Sequence, residues 1–237
     1  MMKTSFIKPS LLLIACMILG VTTSLAQKTV KIDYGNTPRY AKSNAELPAP
    51  QKGEKRVVFL GNSITEGWAK THPDFFKQHG YIGRGIGGQT SYNFLIRFRE
   101  DVVKLQPKLV VINAGTNDVA ENSCTYNEEL TMGNIISMVE IAKSNKIKVI
   151  LTSVLPAAGF GWNKSITDAP AKIKALNKRI QAYAKSNKIP YVDYYTPLVD
   201  TDGNTLNPQY SKDGVHPTAE GFDVMESIIV PVINKTL

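Results

Sequence analysis

The chain is nearly free of cysteine. Cys16 and Cys124 are the only two in 237 residues, and Cys16 falls in an N-terminal segment that reads as removable. One remaining thiol excludes an internal disulfide. A domain of this length can bury enough apolar surface to fold without one, even after export. Cys124 has no sequence neighbour that would lower its pKa, so it reads as a structural or semi-exposed thiol and not as a nucleophile. Histidine is equally sparse, with His72, His79 and His216 alone, and no Cys/His cluster has zinc-site spacing. No basic run is interleaved with aromatic residues, which argues against a nucleic-acid partner. There is no internal repeat and no low-complexity tract. Charged residues make up 20% and hydrophobic ones 43%, a composition of one folded domain and not of a disordered chain.

The longest apolar run, Leu11 to Val21, is too short for a membrane span. With Lys3 and Lys8 before it and Ser24-Leu25-Ala26 after it, it reads as a secretory signal cleaved before Gln27. The alternative is a lipoprotein signal, with Leu13-Ile14-Ala15 preceding a lipidated Cys16. The residues after Cys16 continue the apolar run, whereas a lipidated cysteine is usually followed by a polar tether. Either way the sequence predicts an exported protein, periplasmic or extracellular. Loss of residues 1–26 takes Lys plus Arg from 28 to 26 against 20 acids, a formal charge of +6. The lysines are spread along the chain, as expected of solvated helix faces.

Residues 27–55 are polar, contain Pro38, Pro48 and Pro50, and lack clear periodicity. They read as a leader that packs along the domain or tethers it. From residue 56 onward the pattern is regular. Short apolar runs predict strands at Arg56–Leu60, Leu109–Asn113, Lys148–Thr152 and Ile189–Asp193, and Tyr81–Gly85 reads as a further, shorter strand. Helical spacing of apolar residues predicts helices at Glu128–Asn145, Ala169–Asn187 and Thr218–Asn234, the last interrupted at Pro231. Continuous apolar strands alternating with helices imply an α/β fold: three α/β/α layers around a mostly parallel sheet of about five strands. In such a sheet ligands meet the carboxyl ends of the strands.

Several polar blocks fall at those ends. Gly61-Asn62-Ser63-Ile64-Thr65-Glu66-Gly67 follows the first strand, Gly85-Ile86-Gly87-Gly88-Gln89-Thr90 the second, and Gly115-Thr116-Asn117-Asp118 the third. Asp213-Gly214-Val215-His216-Pro217 precedes the last helix. Ser63 sits on a strand-to-helix turn, where it can face backbone N–H groups. The same string fits a capping box, S-x-x-E, in which the hydroxyl only caps the helix. Gly87-Gly88 permits positive φ and close backbone approach. Asn117 offers an amide donor, and Asp118 reads as a residue that shapes its loop. Asp213, three residues before His216, can orient the imidazole through Nδ1. His72 and His79 read as surface loop residues. Trp68, Phe160 and Trp162 are candidate walls for a substrate, with ordinary packing as the alternative.

The order and spacing of these blocks resemble the SGNH hydrolases, the GDSL esterase/lipase family, from about Arg56 to the C-terminus. The resemblance implies a flavodoxin-like hydrolase domain over residues 56–237. It implies a nucleophile at Ser63, a base at His216 and its orienting partner at Asp213. It also implies an oxyanion hole made of the Ser63 and Gly88 N–H groups and the Asn117 side chain. Asn62 and Ile64 stand where the eponymous motif has Asp and Leu, and Gln89 where the family often has Asp. Acyl transfer through a serine requires no metal or organic cofactor. The expected activity is esterase action on short acyl chains, acetyl groups on carbohydrates first. Lysophospholipase, thioesterase or arylesterase action is the alternative, as is a catalytically silent carbohydrate-binding protein. A small-molecule or glycan ester is the expected partner; oligomeric state is not legible.

Overall fold

The computed structural model describes residues 32–237; the signal segment and Cys16 lie outside the described residues. Five parallel strands form one sheet in the order β2-β1-β3-β4-β5. They are β1 (Val57–Gly61), β2 (Tyr81–Gly85), β3 (Leu109–Ile112), β4 (Lys148–Thr152) and β5 (Tyr191–Val192). Parallel neighbours need crossover connections. These are supplied by α2 (Ser63–Thr71) with α3 (Pro73–His79), α4 (Ser91–Asp101), the short α5 (Thr116–Val119) with α6 (Glu128–Ser144), and α7 (Ala169–Ser186). The short α8 (Tyr195–Leu198) and the long α9 (Ala219–Thr236) follow β5, and α1 (Pro38–Glu46) precedes β1.

Side-chain alternation along the strands divides the core. Val58, Leu60, Val110 and Ile112 face α4, α6 and α7, packing against Phe94, Phe98, Met138 and Ile173. Val57, Phe59, Leu109 and Val111 face α2, α3 and α9, packing against Trp68, Phe76, Phe222 and Ile229. Both faces are covered, which is why the strands read as continuous apolar runs. The strand order reverses at β1, with β2 on one side and β3 on the other. The crevice beyond the carboxyl ends of β1 and β3 is therefore the topological switch point, where sheets of this kind bind ligands.

Three local features differ from the sequence reading. The segment before β1 carries α1, which has no buried residue and hence no apolar stripe to reveal it. It is fixed by polar contacts instead: Asn44 Nδ2 donates to Asp101 Oδ1 at 2.8 Å, and Arg84 Nε donates to Asn44 Oδ1 at 2.8 Å. β5 is two residues long, because Pro190 has no N–H to contribute and the strand lies at the sheet edge. The last helix runs through Pro231 to Thr236 without a break. Ile229 and Ile233 on either side of the proline are fully buried, and their burial outweighs the one hydrogen bond the proline removes.

Candidate active site

Ser63 is the first residue of α2. The cap of this helix is Asn62, whose Oδ1 accepts from the Ile64 N–H at 2.9 Å. Asn62 thus does the work that the S-x-x-E string suggested for Ser63, and the serine hydroxyl is left for another partner. That partner is His216, with Oγ and Nε2 2.8 Å apart. On the far side of the ring, Nδ1 lies 2.7 Å from Asp213 Oδ2. Asp213 Oδ1 accepts from the backbone N–H groups of His216 at 2.8 Å and Val215 at 2.9 Å. Partial burial pushes the Asp213 carboxyl up, but the His216 and Val215 backbone N–H groups and the His216 ring outweigh it and hold the pKa at about 2. An ionised carboxylate only accepts hydrogen bonds, so Nδ1 carries the ring proton and the Nε2 lone pair faces the serine hydroxyl.

The loop after β2 lies against Ser63: a Cβ built on Gly87 would stand 3.8 Å from the Ser63 Cβ. The turn from Ile86 to Gln89 closes through the Gln89 N–H to Ile86 O at 3.4 Å, with Gly88 at φ +76°. Positive φ at this third turn position is the type II geometry that glycine serves. Among the described residues the Gly88 N–H has no protein acceptor. Gly85 is required for a different reason. A Cβ there would fall 2.2 Å from the Glu66 backbone nitrogen and 2.7 Å from Asn62 O, so only glycine lets the serine turn lie on the end of β2.

Asn117, buried at the start of α5, donates one amide hydrogen to Gln89 O at 2.9 Å, which ties the third block to the second. Asp118 is buried and accepts from the Ser91 backbone N–H at 3.0 Å and from the Ser91 hydroxyl. Burial raises its pKa against those hydrogen bonds. It anchors α5 to the start of α4, the loop-shaping part read from its position.

The three aromatic candidates separate. Trp162 is 49% exposed, with its ring centroid 6.2 Å from that of His216. Its Nε1 donates to Asn122 Oδ1 at 2.8 Å. Phe160 is buried behind it, 5.3 Å between centroids. Trp68 is not a wall of the site. It is 2% exposed, stacked on Phe222 and Phe75, with Nε1 donating to Glu226 at 2.8 Å. His72 is the linking residue between α2 and α3, but its side chain is turned in from the surface, with Nδ1 2.7 Å from Glu226 Oε1. His79 closes α3 and stacks on Tyr81. His72, Asp223 and Glu226 form a group of possible metal ligands among the described residues, at the end of α2 opposite Ser63. Cys124 is exposed.

Sequence reasoning missed three supporting residues. Arg97 is fully buried. It donates to Gly61 O, Arg84 O and Asp101 at 2.9 Å each and to Gln89 Oε1 at 2.6 Å, drawing together the carboxyl ends of β1 and β2. Its i,i+4 spacing to Asp101 was the available signal. Asn122 Nδ2 donates to Gly88 O at 3.1 Å, and Glu66 accepts from Gly87. A cavity of 910 Å³ between Lys148, Tyr191 and Pro231 is larger than the 510 Å³ cleft beside His216. It opens at the amino ends of β4 and β5, away from the switch point and from the serine–histidine pair, so position and chemistry outweigh size here.

An open α/β sheet with Ser, His and Asp in hydrogen-bonded sequence at its switch point has the form of an SGNH hydrolase. The model of the GDSL-like lipase/acylhydrolase family matches residues 59–224, and the chain belongs to that family; it is an esterase of the GDSL type. It is similar in structure to a GDSL-like lipase from Bacteroides thetaiotaomicron, with 67% identity, a TM-score of 0.85, and coverage of 86% of this chain and all of that one. In sequence it is 26% identical to an acetylxylan esterase from Xylanibacter ruminicola over 79% of this chain. The chain spans 45% of that relative's length. It is also 29% identical to a lipoprotein of Bacillus subtilis, covering 73% of this chain and 87% of that one.

Proposed function

We propose that this chain is an exported serine esterase that removes short acyl groups, acetyl foremost, from carbohydrate esters. The observation that carries the reading is the pair of hydrogen bonds through His216, 2.8 Å to Ser63 and 2.7 Å to Asp213. Ser63 Oγ attacks the ester carbonyl as His216 Nε2 takes its proton. The carbonyl oxygen becomes an oxyanion, met by the Ser63 and Gly88 N–H groups and the free amide hydrogen of Asn117. Asp213 keeps the ring in its Nδ1–H tautomer and offsets the charge of the imidazolium. His216 then returns the proton to the departing alcohol. Water, deprotonated by the same nitrogen, releases the acyl group and restores Ser63.

The surroundings of the serine bear on the substrate class. Gly87 and Gly88 are exposed, His216 is partly so, and Trp162 offers a half-exposed ring beside it. An open site of this shape admits an ester carried on a polymer, and an indole face suits stacking on a sugar. Similarity to an acetylxylan esterase points the same way. Similarity to a lipoprotein supports export. Among the described residues no helix is long and apolar enough to cross a membrane.

Acetate release from acetylated xylo-oligosaccharides, compared with hydrolysis of p-nitrophenyl octanoate, tests this reading. Faster turnover of the acetylated sugar is expected. Preference for the octanoate would instead favour a lysophospholipase or thioesterase.

A further inference from the structure

Gly87 and Gly88 are adjacent residues without side chains, and such a pair has the widest choice of backbone conformation. The loop that carries the Gly88 N–H therefore needs to be held from outside. Asn122 holds the Gly88 carbonyl. On the other side of the Gly87–Gly88 peptide, Glu66 Oε2 accepts from the Gly87 N–H at 2.8 Å. With both flanking groups fixed, the direction of the intervening Gly88 N–H is fixed as well.

Glu66 is itself held. It lies on the first turn of α2, three residues after Ser63, with its side chain 18% exposed. Its Oε1 meets Arg39 Nη2 at 2.8 Å and Lys70 Nζ at 2.8 Å. Burial pushes the carboxyl up, but Lys70, Arg39 and the Gly87 N–H outweigh it and keep the pKa below its ordinary value. Arg39 belongs to α1. Two further contacts from the same stretch reach the same loop: the Tyr40 hydroxyl donates to Gly85 O, and Gln89 Nε2 donates to Gly35 O at 3.0 Å.

We propose that Glu66 is a positioning residue for the oxyanion loop, that Arg39 holds Glu66 in place, and that Gly35, Arg39 and Tyr40 are thereby part of the active-site machinery. This rests on the assignment of Gly88 as an oxyanion donor. Glu66 does not touch the substrate. It acts through the Gly87 peptide, so its removal misaligns a donor that matters more in the transition state than in the ground state.

The test uses p-nitrophenyl acetate kinetics, the inhibition constant of phenylboronic acid (which forms a tetrahedral anion on an active serine) and melting temperature. The chain is compared as Glu66→Ala, Glu66→Gln, Arg39→Ala and, on the exposed side of α1, Lys42→Ala. For Glu66→Ala we expect kcat to fall by about 10- to 100-fold, with KM changed less than about threefold and the boronate constant raised in step with the loss in kcat. Glu66→Gln, which keeps an oxygen for the Gly87 N–H, recovers most of the activity. Arg39→Ala falls between, and Lys42→Ala matches the unaltered protein. If Glu66→Ala does not fold, Arg39→Ala and Glu66→Gln carry the same comparison. Folded Glu66 and Arg39 variants with unaltered kcat and boronate affinity would overturn the inference alone. Absence of Ser63-dependent turnover in the unaltered protein would overturn the underlying assignment, and the inference with it.

Discussion

Ser63 Oγ and His216 Nε2 lie 2.8 Å apart across 153 residues of sequence. The serine is placed by the end of β1 and the Asn62 cap. The histidine is placed by the Ser211–Pro217 turn, where the Ser211 hydroxyl lies 2.8 Å from His216 O and accepts from the Gly214 N–H at 3.0 Å. Two separately braced turns meet, so the pair does not depend on a single loop.

Asp213 makes stability depend on pH in a definite window. Its folded pKa, about 2, lies below the unfolded value of about 3.9. The unfolded chain therefore binds the proton more readily. The contribution of Asp213 is fully present above about pH 4 and is lost as pH falls through about 2. Urea titrations between pH 5 and pH 2 will show a steeper loss for the unaltered protein than for Asp213→Asn. Equal slopes would contradict the account.

Arg97 and Asp101 form an ion pair with both side chains out of solvent. Asp101→Ala leaves the buried guanidinium without its counter-charge and is expected to cost about 3–5 kcal/mol. The neighbouring Glu100–Lys104 pair is exposed, and Glu100→Ala should cost no more than about 1 kcal/mol. Denaturant unfolding of the two variants side by side measures the difference.

The two tryptophans should respond in opposite ways. Trp68→Ala empties a space among Phe59, Phe75, Phe76 and Phe222 and should destabilise the fold by about 3–5 kcal/mol. Trp162→Ala should shift the melting point little, since half of its ring surface is already in water. It should raise KM for acetylated oligosaccharides and leave p-nitrophenyl acetate hydrolysis nearly unchanged. An equal effect on both substrates would remove sugar stacking from its role.

Much of the architecture was legible because it is written in local pattern. The β2 and β4 limits coincide with the strands expected at Tyr81–Gly85 and Lys148–Thr152. Ser63, Asp213 and His216 are legible because four blocks stand in one order that resembles a known family, and because His216, one of three histidines, follows an aspartate by three residues. What was missed depends on geometry that spacing does not carry. Trp68 is close to Ser63 in sequence, but five residues along a helix turn it roughly 140° away, into the core. The helix α1 has no apolar face, so its place came only from polar contacts across the fold. Arg97 reaches the backbone carbonyls of Gly61 and Arg84, and Glu66 the backbone N–H of Gly87, and those partners have no residue code to read.

We propose Ser63 as the nucleophile of this esterase. Hydrolysis of p-nitrophenyl acetate, butyrate and octanoate by the protein and its Ser63→Ala variant tests it most directly. Turnover is expected to fall with chain length and to be abolished in the variant, which keeps the unaltered melting temperature. Undiminished hydrolysis by Ser63→Ala would contradict it.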